Sequence, residues 1–127
     1  MLLQNWNLSN CKILSGLFWV CKNLNSITPL KNWNVSNVTD FHDVFVGCSK
    51  LRDLSPLENW NVSNGKDFSS MFCHLYNLTD VSPLKKWNVS NGKKFEKMVG
   101  DCNSINNRDK LKEWKFGNND YFNTMFS

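Results

Sequence analysis

Tryptophan recurs at Trp6, Trp33, Trp60, Trp87 and Trp114, always 27 residues apart. A fixed period of this length means that the chain stacks copies of one supersecondary unit, so most of its conspicuous residues are copies of one another. Counting from each Trp, position 8 holds Leu14, Phe41, Phe68, Phe95 and Phe122. Positions 11 and 12 hold Leu17-Phe18, Val44-Phe45, Met71-Phe72, Met98-Val99 and Met125-Phe126, and position 15 holds Cys21, Cys48, Leu75 and Cys102. Leu24, Leu51, Leu78 and Ile105 follow at position 18, Ile27, Leu54 and Val81 at 21, and Leu30, Leu57, Leu84 and Leu111 at 24. Pro29, Pro56 and Pro83 each precede that last Leu; Lys110 replaces them in the fourth copy.

The apolar positions 8, 11, 12, 15 and 18 have the spacing of one stripe of a short α-helix. The Asn ahead of it suits an N-cap, and Asn37 with Asp40 and Asn64 with Asp67 have the spacing of a capping box, with Asp in place of Glu. Downstream, LRDLSPL (51–57) and LTDVSPL (78–84) contain a proline that cannot continue a helix, and they read as short extended segments. A helix and a strand of this size cannot bury their own apolar stripe, so each unit must lie against its neighbours. The expected fold is an α/β repeat solenoid with one short strand and one short helix per 27-residue turn. Residues 1–127 form a single domain of about four and a half such repeats.

Nine Phe and six Trp supply the apolar area that a thin stack of units needs. No segment approaches the roughly 20 apolar residues of a membrane span, and MLLQNWNLSN lacks the basic and apolar regions of a signal peptide. Cys21, Cys48 and Cys102 share one inward position, and the total of five cysteines is odd, which predicts buried reduced thiols rather than a disulfide framework. Both points favour a cytoplasmic or intracellular location. The formal charge is +4, and the lysines concentrate late, at Lys85-Lys86, Lys93-Lys94-Lys97 and Lys110-Lys112-Lys115. Such a surface suits nucleic acid or an acidic partner, although a solvated face accounts for it more simply, and nucleic acid is not the expected ligand.

The string PLKNWNVSNVTDFHDVFVGCSKLRDL (29–54) resembles the short repeats of the BspA-like leucine-rich-repeat family, which read roughly PLxNWNVSNVTxMxxMFxxCxxL; PLENWNVSNGKDFSSMF (56–72) and PLKKWNVSNGKKFEKM (83–98) repeat it. The resemblance covers the chain. It implies a right-handed, leucine-rich-repeat-like solenoid with stacked parallel strands on one side and short helices on the other. It also implies a binding or adhesion role on cell surfaces or in viral particles, and it brings no shared catalytic residues. Gly65 and Gly92, where Val38 stands in the second copy, and the irregular INNRDKL (105–111) depart from the pattern.

His42 and His74 stand near Cys48 and Cys73, but no pair of ligands has zinc-site spacing, so no metal, cofactor or catalytic residue is expected. A reactive Cys–His pair needs an open, electropositive thiol, and three of the cysteines lie in an inward column; Cys11 is the expected exposed thiol. The Trp column (Trp6, Trp33, Trp60, Trp87, Trp114) could stack bases or sugars, but an invariant position shared with the Phe and Leu columns is what core packing between turns produces, so it is read as a structural ladder. Trp19, outside the column, is placed over the open N-terminal end. The glycosylation-like motifs at Asn7, Asn34, Asn37, Asn61, Asn77 and Asn88 are read as turn and ladder residues.

Between the buried Leu positions of each strand, the outward residues form the candidate partner face: Asn25 and Thr28; Arg52, Asp53 and Ser55; Thr79, Asp80 and Ser82; Asn107 and Asp109. Repeat solenoids commonly bind along such faces, and their end turns need polar caps, which neither end of this chain shows. The expected function is a non-enzymatic protein-interaction or assembly module, acting through the strand face or through self-association at the ends. The alternative is nucleic-acid or acidic-partner binding through the basic C-terminal repeats.

Overall fold

A computed structural model describes residues 2–117 and 121–127. Met1 and Asn118, both counted within the repeats above, lie outside the described residues. Taking each Trp as the first residue of a unit, the chain comprises units 6–32, 33–59, 60–86 and 87–113 and a fifth that starts at Trp114.

The expected helix at positions 8 to 15 is replaced by two consecutive four-residue turns. Leu17 N–H bonds to Leu14 O at 3.1 Å and Cys21 N–H to Phe18 O at 3.1 Å, and Cys48 to Phe45 and Met98 to Phe95 repeat the arrangement at 3.1 and 3.0 Å. The third residue of each turn has positive φ: Gly16 and Val20, Asp43 and Gly47, Ser70 and His74, Lys97 and Asp101. Positive φ at the third position is what a type II turn requires, and it interrupts an α-helix every fourth residue. A four-residue repeat and a 3.6-residue helix give nearly the same apolar spacing over eight residues, which is why the stripe mimics a helix.

These turns free alternate amides to bond the following unit. In the second unit Phe41, Asp43, Phe45 and Gly47 donate N–H to the carbonyls of Asp67, Ser69, Met71 and Cys73 at 2.8, 3.1, 2.9 and 2.9 Å. Phe68, Ser70, Phe72 and His74 do the same to Lys94, Glu96, Met98 and Gly100. Single parallel bridges join Ile13 to Asp40, Asp40 to Asp67 and Asp67 to Lys94 just upstream. Within the linked turns amides face the next unit and carbonyls the previous one; just upstream the direction reverses, with Thr39, Lys66 and Lys93 donating N–H to Lys12, Thr39 and Lys66 of the preceding unit at 2.9, 2.8 and 2.7 Å.

The expected short strands are also replaced. Thr28–Leu30, Ser55–Leu57 and Ser82–Leu84 are single 3-10 turns with proline at their start, and Leu3–Asn5 and Arg108–Leu111 are further 3-10 segments without one. Proline stops a helix that runs into it, but its fixed φ and missing N–H suit the first turn of one. Extended strand longer than a single bridge is absent among the described residues. In the fifth unit one α-helical turn, Tyr121–Thr124, stands where the first of the linked turns stands in the other units.

Side chains from the repeated columns fill the space between units. The rings of Phe41 and Phe68, and of Phe68 and Phe95, stack with centroids 5.4 Å apart; Phe18, Phe45 and Phe72 form a second stack at 5.5 and 5.6 Å. Trp33, Trp60, Trp87 and Trp114 are buried, and Trp6–Trp33, Trp33–Trp60 and Trp87–Trp114 stack at 5.7, 6.3 and 6.4 Å. Each of these four buried indoles donates its Nε1–H to the carbonyl of a Leu 30 residues earlier: Leu3, Leu30, Leu57 and Leu84. The Leu residues of the 3-10 turns, with Ile27, Leu54 and Val81 just before them, complete one continuous core. Trp19, placed over the N-terminal end by its sequence position, is instead 63% exposed, because the turn that carries it points it into solvent.

Candidate partner-binding face

The outward residues in and just ahead of the 3-10 segments recur at equivalent positions from unit to unit. Asn25, Thr28, Arg52, Asp53, Ser55, Thr79, Asp80 and Asp109 are exposed, and Ser82 and Asn107 are half-buried. Their short polar side chains hold the turns in shape. Asp53 Oδ1 accepts the Ser55 N–H at 2.8 Å and Asp80 Oδ1 accepts the Ser82 N–H at 2.8 Å, so both carboxylates start the turn that follows them. Ser26 and Thr28 pair their hydroxyls at 3.1 Å in the first unit. The Asn107 amide crosses to the previous unit, donating to Asp80 Oδ1 at 2.8 Å, while its carbonyl oxygen accepts the Val81 N–H at 3.1 Å. Hydrogen bonds from Ser82 and Asn107 hold the Asp80 carboxyl below the usual carboxylate range.

Between the first three units this face opens into a groove of about 700 Å³ lined by Asn25, Ser26, Lys50, Arg52, Asp53 and Asn77. The carboxylate of Asp53 is turned to its own backbone, and Arg52 forms no salt bridge among the described residues. A second depression of about 370 Å³ lies beside it between Thr28, Lys31, Ser55, Pro56, Glu58 and Asn59. The arrangement offers hydrogen-bond donors and one free guanidinium, and no nucleophile with a base in reach.

The asparagines have two jobs. Asn34, Asn61 and Asn88 accept the N–H and hydroxyl of the Ser two residues on, with hydroxyl distances of 2.6, 2.6 and 2.7 Å. Asn37, Asn64 and Asn91 donate to the Ser9, Ser36 and Ser63 carbonyls of the preceding unit at 2.6, 2.7 and 2.8 Å, instead of capping a helix.

Two clusters were not legible in the spacing. His42 lies among carboxylates rather than beside Cys48: its Nδ1 is 2.6 Å from Asp40 and 3.9 Å from Asp67, and Nε2 is 3.9 Å from Asp43. The hydrogen bond to Asp40, helped by the surrounding negative charge, raises the His42 pKa. Asp67 belongs to the next unit, so only the stacking register brings the group together. Cys73, His74 and Asp101 form the other cluster, with ligand atoms within 4.8 Å of one another. Burial pushes the Cys73 thiol up, which disfavours its thiolate. Cys48 and Cys102 are raised to about 11 and about 12 by burial, and their Sγ–H groups donate across units to Phe18 O and Phe72 O. Cys11, the expected exposed thiol, is half-buried and donates to Ile13 O at 3.3 Å. All five cysteines are free.

The geometry defines a protein of tandem 27-residue units joined through backbone and indole hydrogen bonds. The chain belongs to the family described as "Mycoplasma protein of unknown function, DUF285", whose model matches residues 2–114 and again 79–127. No curated protein matches it. Among solved structures, an internalin (inlF) from Listeria monocytogenes str. 4b F2365 is 17% identical over 72% of this chain and 37% of the internalin, with a TM-score of 0.24. Internalin C2 (inlC2) of the same organism is 14% identical over 80% of this chain and 62% of its own, with a TM-score of 0.25. The chain thus spans less than two thirds of either internalin. Among the described residues no helix is long and apolar enough to cross a membrane.

Proposed function

We propose that the chain is a non-catalytic protein-interaction module, a single leucine-rich-repeat-like, right-handed solenoid that takes a protein partner along its aligned polar face. The observation that carries this reading is the set of polar residues, most of them exposed, repeated at equivalent positions in four adjacent units, with the free Arg52 guanidinium in its groove. The turn-locking bonds of Asp53, Asp80 and Asn107 hold the face in one shape before a partner arrives. A preordered face loses little conformational entropy on binding, and a groove-centred Arg is the kind of side chain on which binding energy concentrates. The test is capture of protein partners by the chain with a photo-cross-linker at Thr79, beside the double variant Arg52→Glu/Asn25→Lys. The expected result is one cross-linked species, weakened at least tenfold in the variant while the melting temperature holds. Cross-linking that survives the variant unchanged contradicts the reading.

A second reading has one observation of its own. Lys85, Lys86 and Lys115 line a depression of about 390 Å³ over the edges of Trp87 and Trp114. Those indoles are only 4% and 5% exposed and offer no stacking face, so any nucleic acid would be held by charge alone. Such binding falls steeply with salt; no binding to generic duplex DNA at low salt removes it.

A further inference from the structure

Cys73, His74 and Asp101 meet at the junction of the third and fourth units. The His74 N–H donates to Gly100 O at 2.9 Å, and this register sets His74 beside Asp101, which holds the same position in the next unit. That position is Val20 in the first unit and Gly47 in the second, and the position of Cys73 is held by Trp19, Val46 and Gly100 in the other three. Among the described residues, this is therefore the one junction in the column that brings a sulfur, an imidazole and a carboxylate together.

His74 Nδ1 and Asp101 Oδ2 are 3.5 Å apart, and the three ligand atoms lie within 4.8 Å of one another. Nitrogen and oxygen at their usual distances from a tetrahedral zinc ion stand about 3.4 Å from each other, so this pair is already at ligand spacing and the sulfur needs only a short approach. The sulfur supplies a second, separate sign. Cys73 is 4% exposed and its Sγ has no hydrogen-bond partner among the described residues, whereas the buried Cys48 and Cys102 thiols donate to Phe18 O and Phe72 O. It is a buried, unpartnered ligand beside two that are open to solvent, His74 and Asp101 having side chains 41% and 54% exposed. The Asp40, His42 and Asp67 cluster differs on both counts. There His42 Nδ1 is 2.6 Å from Asp40 Oδ1, a hydrogen-bond distance too short for two ligands of one ion, and none of the three residues is buried.

We infer that Cys73 Sγ, His74 Nδ1 and Asp101 Oδ2 form a three-ligand site for zinc or a similarly soft divalent cation, with the fourth position open to solvent. The ligand set selects the ion: thiolate with imidazole suits zinc, whereas magnesium and calcium take oxygen ligands. Binding exchanges a proton for the metal. The Cys73 S–H bond breaks, the sulfur bonds to the cation and the proton passes to solvent. Thiolate and Asp101 carboxylate then balance the divalent charge, while Asp43 and Lys97, the other charges acting on this sulfur, offset each other. The Tyr76 hydroxyl, 3.2 Å from His74 Nδ1, gives up that contact. An ion held in this way fastens the third unit to the fourth. None of its ligands lines the polar groove, so the site and partner binding fail or succeed independently.

Calorimetric titration of the reduced chain with zinc tests it, with cobalt(II) as the spectroscopic probe. The expected result is one zinc per chain, release of about one proton on binding, and a near-ultraviolet thiolate-to-cobalt charge-transfer band that added zinc removes. Cys73→Val and His74→Gly bring in the residues that the second unit carries at these positions, Val46 and Gly47, so both variants keep to side chains the stack already accommodates. Each should weaken zinc binding by no less than the roughly 10–100-fold typical of losing an outer-shell partner. Cys73→Val should also abolish the charge-transfer band. Zinc should raise the melting temperature of the chain and leave that of Cys73→Val unchanged. His42→Gln should bind zinc as the unaltered chain does. No stoichiometric zinc, a cobalt complex without the thiolate band, or binding that survives Cys73→Val and is lost in His42→Gln each overturns the inference.

Discussion

The Trp60 indole donates its Nε1–H to the Leu30 carbonyl at 3.0 Å, and the same carbonyl accepts the Trp33 backbone N–H at 3.1 Å. One buried oxygen therefore closes a turn within its own unit and fastens the following unit to it. Replacing Trp60 by Phe keeps most of the apolar contact and deletes this bond, leaving the carbonyl with one partner. The expected loss is about 1 kcal/mol, typical of a buried hydrogen bond. Trp6→Phe should cost less, because the donor it removes is buried and unpaired among the described residues. Chemical denaturation of both variants measures the difference.

Gly92→Ala tests a packing relationship that the repeat pattern conceals. Val38 holds the equivalent place in the second unit, so the sequence makes a larger residue at Gly92 look restorative. In the structure a Cβ at Gly92 would fall on the ring of the fully buried Phe95, which stacks on Phe68 and cannot yield freely. The expected effect is destabilisation by about 1–3 kcal/mol, the usual cost of overpacking. An unchanged melting temperature would show that the ring has room to move.

The turns make opposite predictions at two equivalent positions. Lys97 is exposed with φ +56°, and Lys97→Gly should raise stability by about 0.5–1 kcal/mol, since the strain removed exceeds the entropy a glycine adds to the unfolded chain. Gly16 has φ +66° at the same place in the first unit, and Gly16→Ala should lower stability by about 1 kcal/mol. Thermal melts of the two variants should shift in opposite directions by several degrees.

What the sequence disclosed and what it withheld divide along these lines. The Trp, Phe and Leu columns and the exposed polar face could be read because they follow from the 27-residue period alone. The turns could not, because six of the eight positive-φ residues among the described ones are Val20, Asp43, Ser70, His74, Lys97 and Asp101, where no glycine marks the conformation. Gly16 and Gly47 were the surviving signals. The His42 cluster was hidden for another reason: Asp40 and Asp67 are 27 residues apart and meet only through register.

The His42 cluster gives a pH dependence of definite sign. The folded-state pKa is raised above the unfolded value by the hydrogen bond to Asp40 and the charges of Asp40, Asp43 and Asp67. Its contribution is therefore fully present below the unfolded pKa of about 6.5 and is lost as pH rises through the higher folded value. Asp80, whose pKa is lowered, acts in the opposite sense, and its contribution is lost as pH falls through the acid range. Melting temperatures of the chain and of His42→Gln, compared across neutral pH, should converge on the alkaline side. Parallel curves would mean that the cluster makes no net contribution.

The central structural claim is that positions 8 to 15 of each unit are linked turns bonded to the next unit rather than a helix. Nuclear magnetic resonance of the labelled chain tests it through hydrogen exchange and φ-dependent couplings over 41–48. The structure predicts positive-φ couplings at Asp43 and Gly47, and slow exchange at the amides of Phe41, Asp43, Phe45 and Gly47, whose acceptors lie in the following unit. An unbroken run of helical couplings through 41–48, with the sequential amide contacts of an α-helix, would contradict it.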